Sequence, residues 1–194
     1  MKNALKMLPL MLIGLLAIPQ GAHAHWIGGY GLESGLTHPL LGLDHLLAMV
    51  AVGVISTQIT PNKIWRLPAL FLSFIMMGGL LAMNRVGIPF VETGIALSVL
   101  FLGVFIALDQ RISGRWAAVC VALFALFHGQ AHGIEMPMLA HPALYATGFV
   151  LSTALLHLVG VWIGRLFRTT EFTLATLRYA GLSMSFIGLT YLFL

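Results

Sequence analysis

The chain has 194 residues, 59% of them apolar and 8% charged, with a mean hydropathy of +0.97; ordinary soluble domains carry about 25% charged residues. This excludes a soluble enzyme and leaves an all-α polytopic membrane protein, whose length suits about six spans of roughly 20 residues and leaves no room for a separate catalytic domain. The net charge of +4, with no basic patch interleaved with aromatics, excludes nucleic acid as a partner, whereas the lipid bilayer is an obligatory one.

Residues 1–24 are expected to be a cleavable signal peptide. Lys2 and Lys6 form its positive start, Leu8 to Ile18 its apolar run, and Pro19 and Gln20 break it before the Ala22-His23-Ala24 cleavage pattern. Cleavage would leave His25 at the mature N-terminus, with an α-amine and an imidazole to offer a metal. Residues 25–194 then form one membrane domain of six predicted spans: Gly35–Ser56, Arg66–Met83, Pro89–Leu108, Trp116–Met136, Pro142–Ile163 and Arg178–Leu194.

Span one carries His38, Asp44 and His45, with Pro39 expected in its first turn, where a helix tolerates it. On a continuous helix His38 and His45 share a face, roughly 10 Å apart. An Asp near the centre of a span costs about 2.5–3.5 kcal/mol on insertion scales, so Asp44 needs a partner or an ion. Span three carries Glu92 near one end, as a helix-start residue or a supporting carboxylate.

Span four holds Cys120, the one cysteine, so disulfides and cysteine metal sites are excluded and the thiol is a packing residue. It ends in Phe127-His128-Gly129-Gln130-Ala131-His132-Gly133-Ile134-Glu135. On a helix, His128, His132 and Glu135 stack on one face. Gly129 and Gly133, like Gly160 and Gly164 in span five, have the spacing for close helix packing. They would also let carbonyls or water approach the histidines. Met136 and Met138 follow at the mouth, as packing residues or soft ligands. His141 is read as interfacial, and His157 in span five as bonded to a hydroxyl or carbonyl across helices. Arg178 is expected to snorkel from the first turn of span six.

Basic residues set the orientation. Lys63, Arg66, Arg111, Arg115, Arg165, Arg168 and Arg178 fall on one side and Arg85 on the other, seven against one. The positive-inside rule then puts both mature termini outside the membrane. Span one enters from outside and span four runs the other way, so their polar stripes match in depth. His45 and Asp44 should meet His128 near the midplane, and His38 should meet His132 and Glu135 near the outer surface. Together they form a polar path from the outer face to the bilayer centre, and spans one and four must be neighbours.

Imidazole suits nickel, cobalt, copper and zinc, and a carboxylate offsets part of a divalent cation's charge. A transporter needs several modest ligands, because the ion must leave again. Without a G-x4-G-K-[ST] motif, ATP hydrolysis by this chain is not expected. The main alternative is an intramembrane metalloenzyme with zinc or iron on His128, His132 and Glu135 and Asp44 as general base. A haem carrier using His45 and His128 is the third reading.

His38-x5-Asp44-His45 followed by Leu46-Leu47-Ala48-Met49, and the Phe127–Glu135 stretch, resemble the first-span and fourth-span signatures of the HupE/UreJ nickel and cobalt permeases. The resemblance extends over essentially the whole chain. It implies that His38, Asp44, His45, His128, His132 and Glu135 carry nickel transport, and that the chain is a permease, not an enzyme, without a resident cofactor, the metal being its substrate. It also implies an association with hydrogenase or urease maturation. Nickel against cobalt, energy coupling and assembly into a homo-oligomer are left open by the sequence.

Overall fold

Within a bilayer every backbone polar group must be satisfied internally, so long apolar runs are driven to helix. The computed structural model describes residues 31–137 and 140–193; the signal segment, His25 and Met138 lie outside them. Among the described residues there are seven α-helices and no strand: α1 (Leu32–Leu41), α2 (Leu43–Ile59), α3 (Arg66–Met83), α4 (Val91–Leu108), α5 (Gly114–Glu135), α6 (Pro142–Leu166) and α7 (Glu171–Tyr191). Helices α3 to α6 are each long and apolar enough to cross a membrane, and α1 with α2 adds a fifth crossing if the bent pair counts as one span. Helix α7 is long enough at 21 residues, but its polar first half lowers its apolarity. It also begins seven positions before the predicted Arg178, because Thr170 caps it: its hydroxyl accepts the Thr173 N–H at 3.2 Å. Arg178 is therefore an exposed residue well inside the helix, not in its first turn.

The first span is not continuous. Helix α1 stops at Leu41, Gly42 is extended (φ −94°, ψ 121°), and α2 restarts at an angle of 87°. Pro39 therefore sits near the end of α1 and not in a first turn. His38 and His45 do not share one helical face; they stand on either side of the break. Any Cβ on residue 42 would lie 2.8 Å from His45 Nδ1 and 2.9 Å from Asp44 Oδ1, so only glycine leaves both side chains where they are. The freed N-terminus of α2 is partly satisfied by Asp44, whose Oδ1 accepts the His45 backbone N–H at 2.8 Å.

Beyond the break α2 is the central helix, buried without interruption from Ala51 to Gln58. Its Met49, Val52 and Ile55 join Phe71 and Ile75 of α3, Val99 and Leu102 of α4 and Val121 and Ala125 of α5 in one core. Backbones approach closely at the glycines marked by the sequence. A Cβ at Gly160 would overlap the Val50 carbonyl of α2, and one at Gly129 the Ile75 carbonyl of α3. Gly129 and Gly133 let the Ile75 and Gly79 carbonyls approach, as expected, and a cavity of about 190 Å³ lined by Gly79, Gly129, His132 and Gly133 opens beside them. The order of these contacts makes α2 and α6 parallel, and likewise α3 and α5, whereas α7 runs antiparallel to α4.

One end of the bundle carries most of the basic residues, with exposed Trp65, Trp116 and Trp162, the arrangement of an interfacial belt. There Arg168 Nη1 donates to Asp109 Oδ1 at 3.1 Å and to the Thr57 carbonyl at 3.4 Å, tying two connections to the end of α2. The histidines of α1, α2 and α5 lie toward the opposite end.

Candidate metal centre

Three elements converge on the site. Helix α1 presents His38, the first turn of α2 presents Asp44 and His45, and the last two turns of α5 present His128, His132 and Glu135. Two of the expected meetings between the stretches are direct: the His45 and His128 rings are 4.8 Å apart, and His38 Nε2–H donates to Glu135 Oε2 at 3.0 Å, whereas Asp44 pairs with His45. The bend at Gly42 also brings the histidines to His132. Its ring centroid is 4.2 Å from that of His45 and 4.8 Å from that of His38.

The outcome is two overlapping sets of ligand atoms. His45, His128 and His132 offer one nitrogen each, all within 4.8 Å of one another and all buried; His38, His132 and Glu135 form a second set within the same distance, open at Glu135. His132 belongs to both.

Hydrogen bonds fix which nitrogens are free. Asp44 Oδ1 lies 2.8 Å from His45 Nδ1. A carboxylate only accepts, so Nδ1 carries the proton and Nε2 a lone pair. Ser98 of α4 donates its hydroxyl to the Ile95 carbonyl at 2.6 Å. Its oxygen, 2.7 Å from His128 Nε2, therefore accepts from that N–H, which leaves the lone pair on Nδ1. His45 Nε2, His128 Nδ1 and both nitrogens of His132 are buried without a hydrogen-bond partner. An unsatisfied buried polar group costs about 1–3 kcal/mol, and one nitrogen from each of the three histidines, within 4.8 Å of one another, fits a cation that they could share.

Asp44 thus holds His45 from behind and takes no place in either ligand set. Asp44 is expected among the ligands from the sequence; its carboxylate is turned to Nδ1 in this structure and fixes the tautomer of the imidazole. Between His38 and Glu135, one proton now occupies the place where a cation would be shared.

Other residues complete the walls. Phe149 of α6 lies 4.3 Å from His132, Tyr145 lies 5.8 Å from His38, and Phe71 lies 6.0 Å from His128, as ring centroids. Neither Ser98 nor these aromatics was singled out from the sequence. Tyr145 and Phe149 have i, i+4 spacing, a signal shared with every packed helix face. Glu92 is exposed in the first turn of α4 and His141 is exposed at the start of α6, as expected of end residues, and Met136 is half-buried. His157 departs from expectation: neither of its buried nitrogens has a hydrogen-bond partner.

The model of the family described as HupE / UreJ protein matches residues 10–191. The chain is 40% identical over 155 residues to Protein HupE of Rhizobium leguminosarum bv. viciae, covering 79% of this chain and 81% of that one. No solved structure matches. With both ligand stretches inside the matched region, the chain belongs to the HupE/UreJ family, a transporter-type membrane family associated with nickel and cobalt.

Proposed function

We propose that this protein is a secondary permease that takes Ni²⁺, and Co²⁺ by the same ligand chemistry, from the periplasm across the inner membrane. The observation that carries the reading is the position of His132 between two ligand sets with both of its nitrogens free. A neutral imidazole has one lone pair, so His132 can complete the outer set with His38 and Glu135 or the inner set with His45 and His128, one at a time. Capture at the open set is then followed by a change of tautomer and rotamer that carries the ion to the buried set.

The broken first span supports the same reading, since discontinuous helices at membrane depth are a recurrent way to build transport sites. Two overlapping ligand sets in place of one closed cage suit an ion that must leave again. The direction rests on the charge pattern: the basic end faces the cytoplasm, so the His38–Glu135 end opens to the periplasm. Supply of the ion to hydrogenase or urease is the use that the family association favours.

Uptake of radioactive nickel by cells expressing the protein tests this directly. His45→Ala and His128→Ala are expected to reduce accumulation to the level of cells lacking the protein. Accumulation by both variants at the parental rate would refute the site.

A further inference from the structure

His157 of α6 is 1% exposed, and both its ring nitrogens lack a hydrogen-bond partner. One turn away on the same face, Thr153 is fully buried and its hydroxyl is also unpartnered. Neither belongs to the two ligand sets. The Phe71 ring touches both regions, 5.2 Å from the His157 ring and 6.0 Å from that of His128. A glycine contact fixes the depth: Gly53 of α2 faces the His157 carbonyl. Gly53 lies eight positions beyond His45 on α2, so His157 is roughly 12 Å further along the axis, toward the Arg168 end. Thr153 is one turn back toward the central set.

A histidine serving only to fill an apolar gap gains nothing from two nitrogens, and a leucine or phenylalanine fills the same space at no cost in buried polar groups. We infer that His157, with the Thr153 hydroxyl beside it, is a third station for the transported cation, between the His45–His128–His132 set and the basic end of the bundle. This rests on the permease reading. The ligand class is a divalent transition metal that still carries water: one imidazole and one hydroxyl make a weak site, suited to release. Phe71 keeps the station from merging with the central set, so the ion occupies them in turn.

The test pairs equilibrium binding with transport. His157→Leu, His157→Gln and Thr153→Val are compared with the parent for Ni²⁺ binding to purified protein and for initial uptake of radioactive nickel at equal membrane abundance. Binding, governed by the untouched central set, should stay within about twofold, whereas uptake should fall at least about tenfold in His157→Leu and less in His157→Gln and Thr153→Val. A packing role moves folding, binding and uptake together, or moves none of them; either pattern overturns the inference. If the parent takes up nickel and His45→Ala does not, yet His157→Leu transports normally, the station fails and the permease reading stands. If the parent itself takes up no nickel, both fall.

Discussion

His45 Nδ1 lies 2.8 Å from Asp44 Oδ1, directly over the helix break at Gly42. The adjacent residues thereby divide the work. The carboxylate takes the N–H of the imidazole and the backbone N–H of the same residue, and His45 Nε2 is left for a metal. The half-buried carboxylate is tolerable because it meets the freed end of α2, where negative charge is favoured.

Asp44→Asn keeps an oxygen that can accept from Nδ1 but removes the charge. Nickel affinity is expected to fall about 10–100-fold, the range for loss of a group that supports a metal-binding histidine. The number of histidine nitrogens on bound nickel, read by X-ray absorption, should not change. Loss of an oxygen ligand from that spectrum would show that Asp44 binds the metal itself.

Ser98→Ala removes the acceptor for His128 Nε2–H and leaves that donor buried. The variant should lose about 1–3 kcal/mol of stability and bind nickel more weakly, because His128 is then free to change tautomer. Thermal unfolding with and without nickel checks both effects. Parental stability and affinity would mean that the 2.7 Å contact does not set the tautomer.

Gly42→Ala puts a methyl group against the Asp44–His45 pair. Uptake should fall by at least about tenfold while the protein remains folded, since the neighbouring atoms belong to side chains that can shift. Gly160→Ala meets backbone instead, at the Val50 carbonyl, and is expected to cost about 1–3 kcal/mol by overpacking. Its effect should appear first in folded yield and melting temperature. The reverse assignment of the two effects would contradict the geometry.

The outer and inner sets should separate kinetically. His38→Ala or Glu135→Ala weakens capture, so the nickel concentration for half-maximal uptake should rise while the maximal rate changes less. His128→Ala removes the buried set and should lower the maximal rate itself. Equal effects on both parameters from all three variants would merge the two sets into one.

Much of this was legible in the sequence because polar residues are conspicuous in a run of Leu, Val and Ala. The opposite running directions of the two spans matched the stripes in depth, which paired His45 with His128 and His38 with Glu135 without a structure. The break at Gly42 was not legible: Gly42 is one of 21 glycines, and Pro39 is compatible with a helix start. Without the bend, the sharing of His132 was out of reach, because it depends on α1 swinging His38 onto the same imidazole that His45 meets from α2. Ser98 was hidden for a different reason. A hydroxyl in an apolar helix usually bonds to its own backbone, as Ser98 also does, and only its distance to His128 reveals the second contact. The role of Asp44 needed atomic positions too, since adjacency in sequence does not say which way a carboxylate turns.

The central claim is that one imidazole, His132, serves two ligand sets in succession. The most direct test is the uptake of radioactive nickel by His132→Ala at the same membrane abundance as the parent. Both sets then lose a member at once, and uptake is expected to fall to the level of cells lacking the protein, below that of His38→Ala. Uptake by His132→Ala at the parental rate would contradict the account.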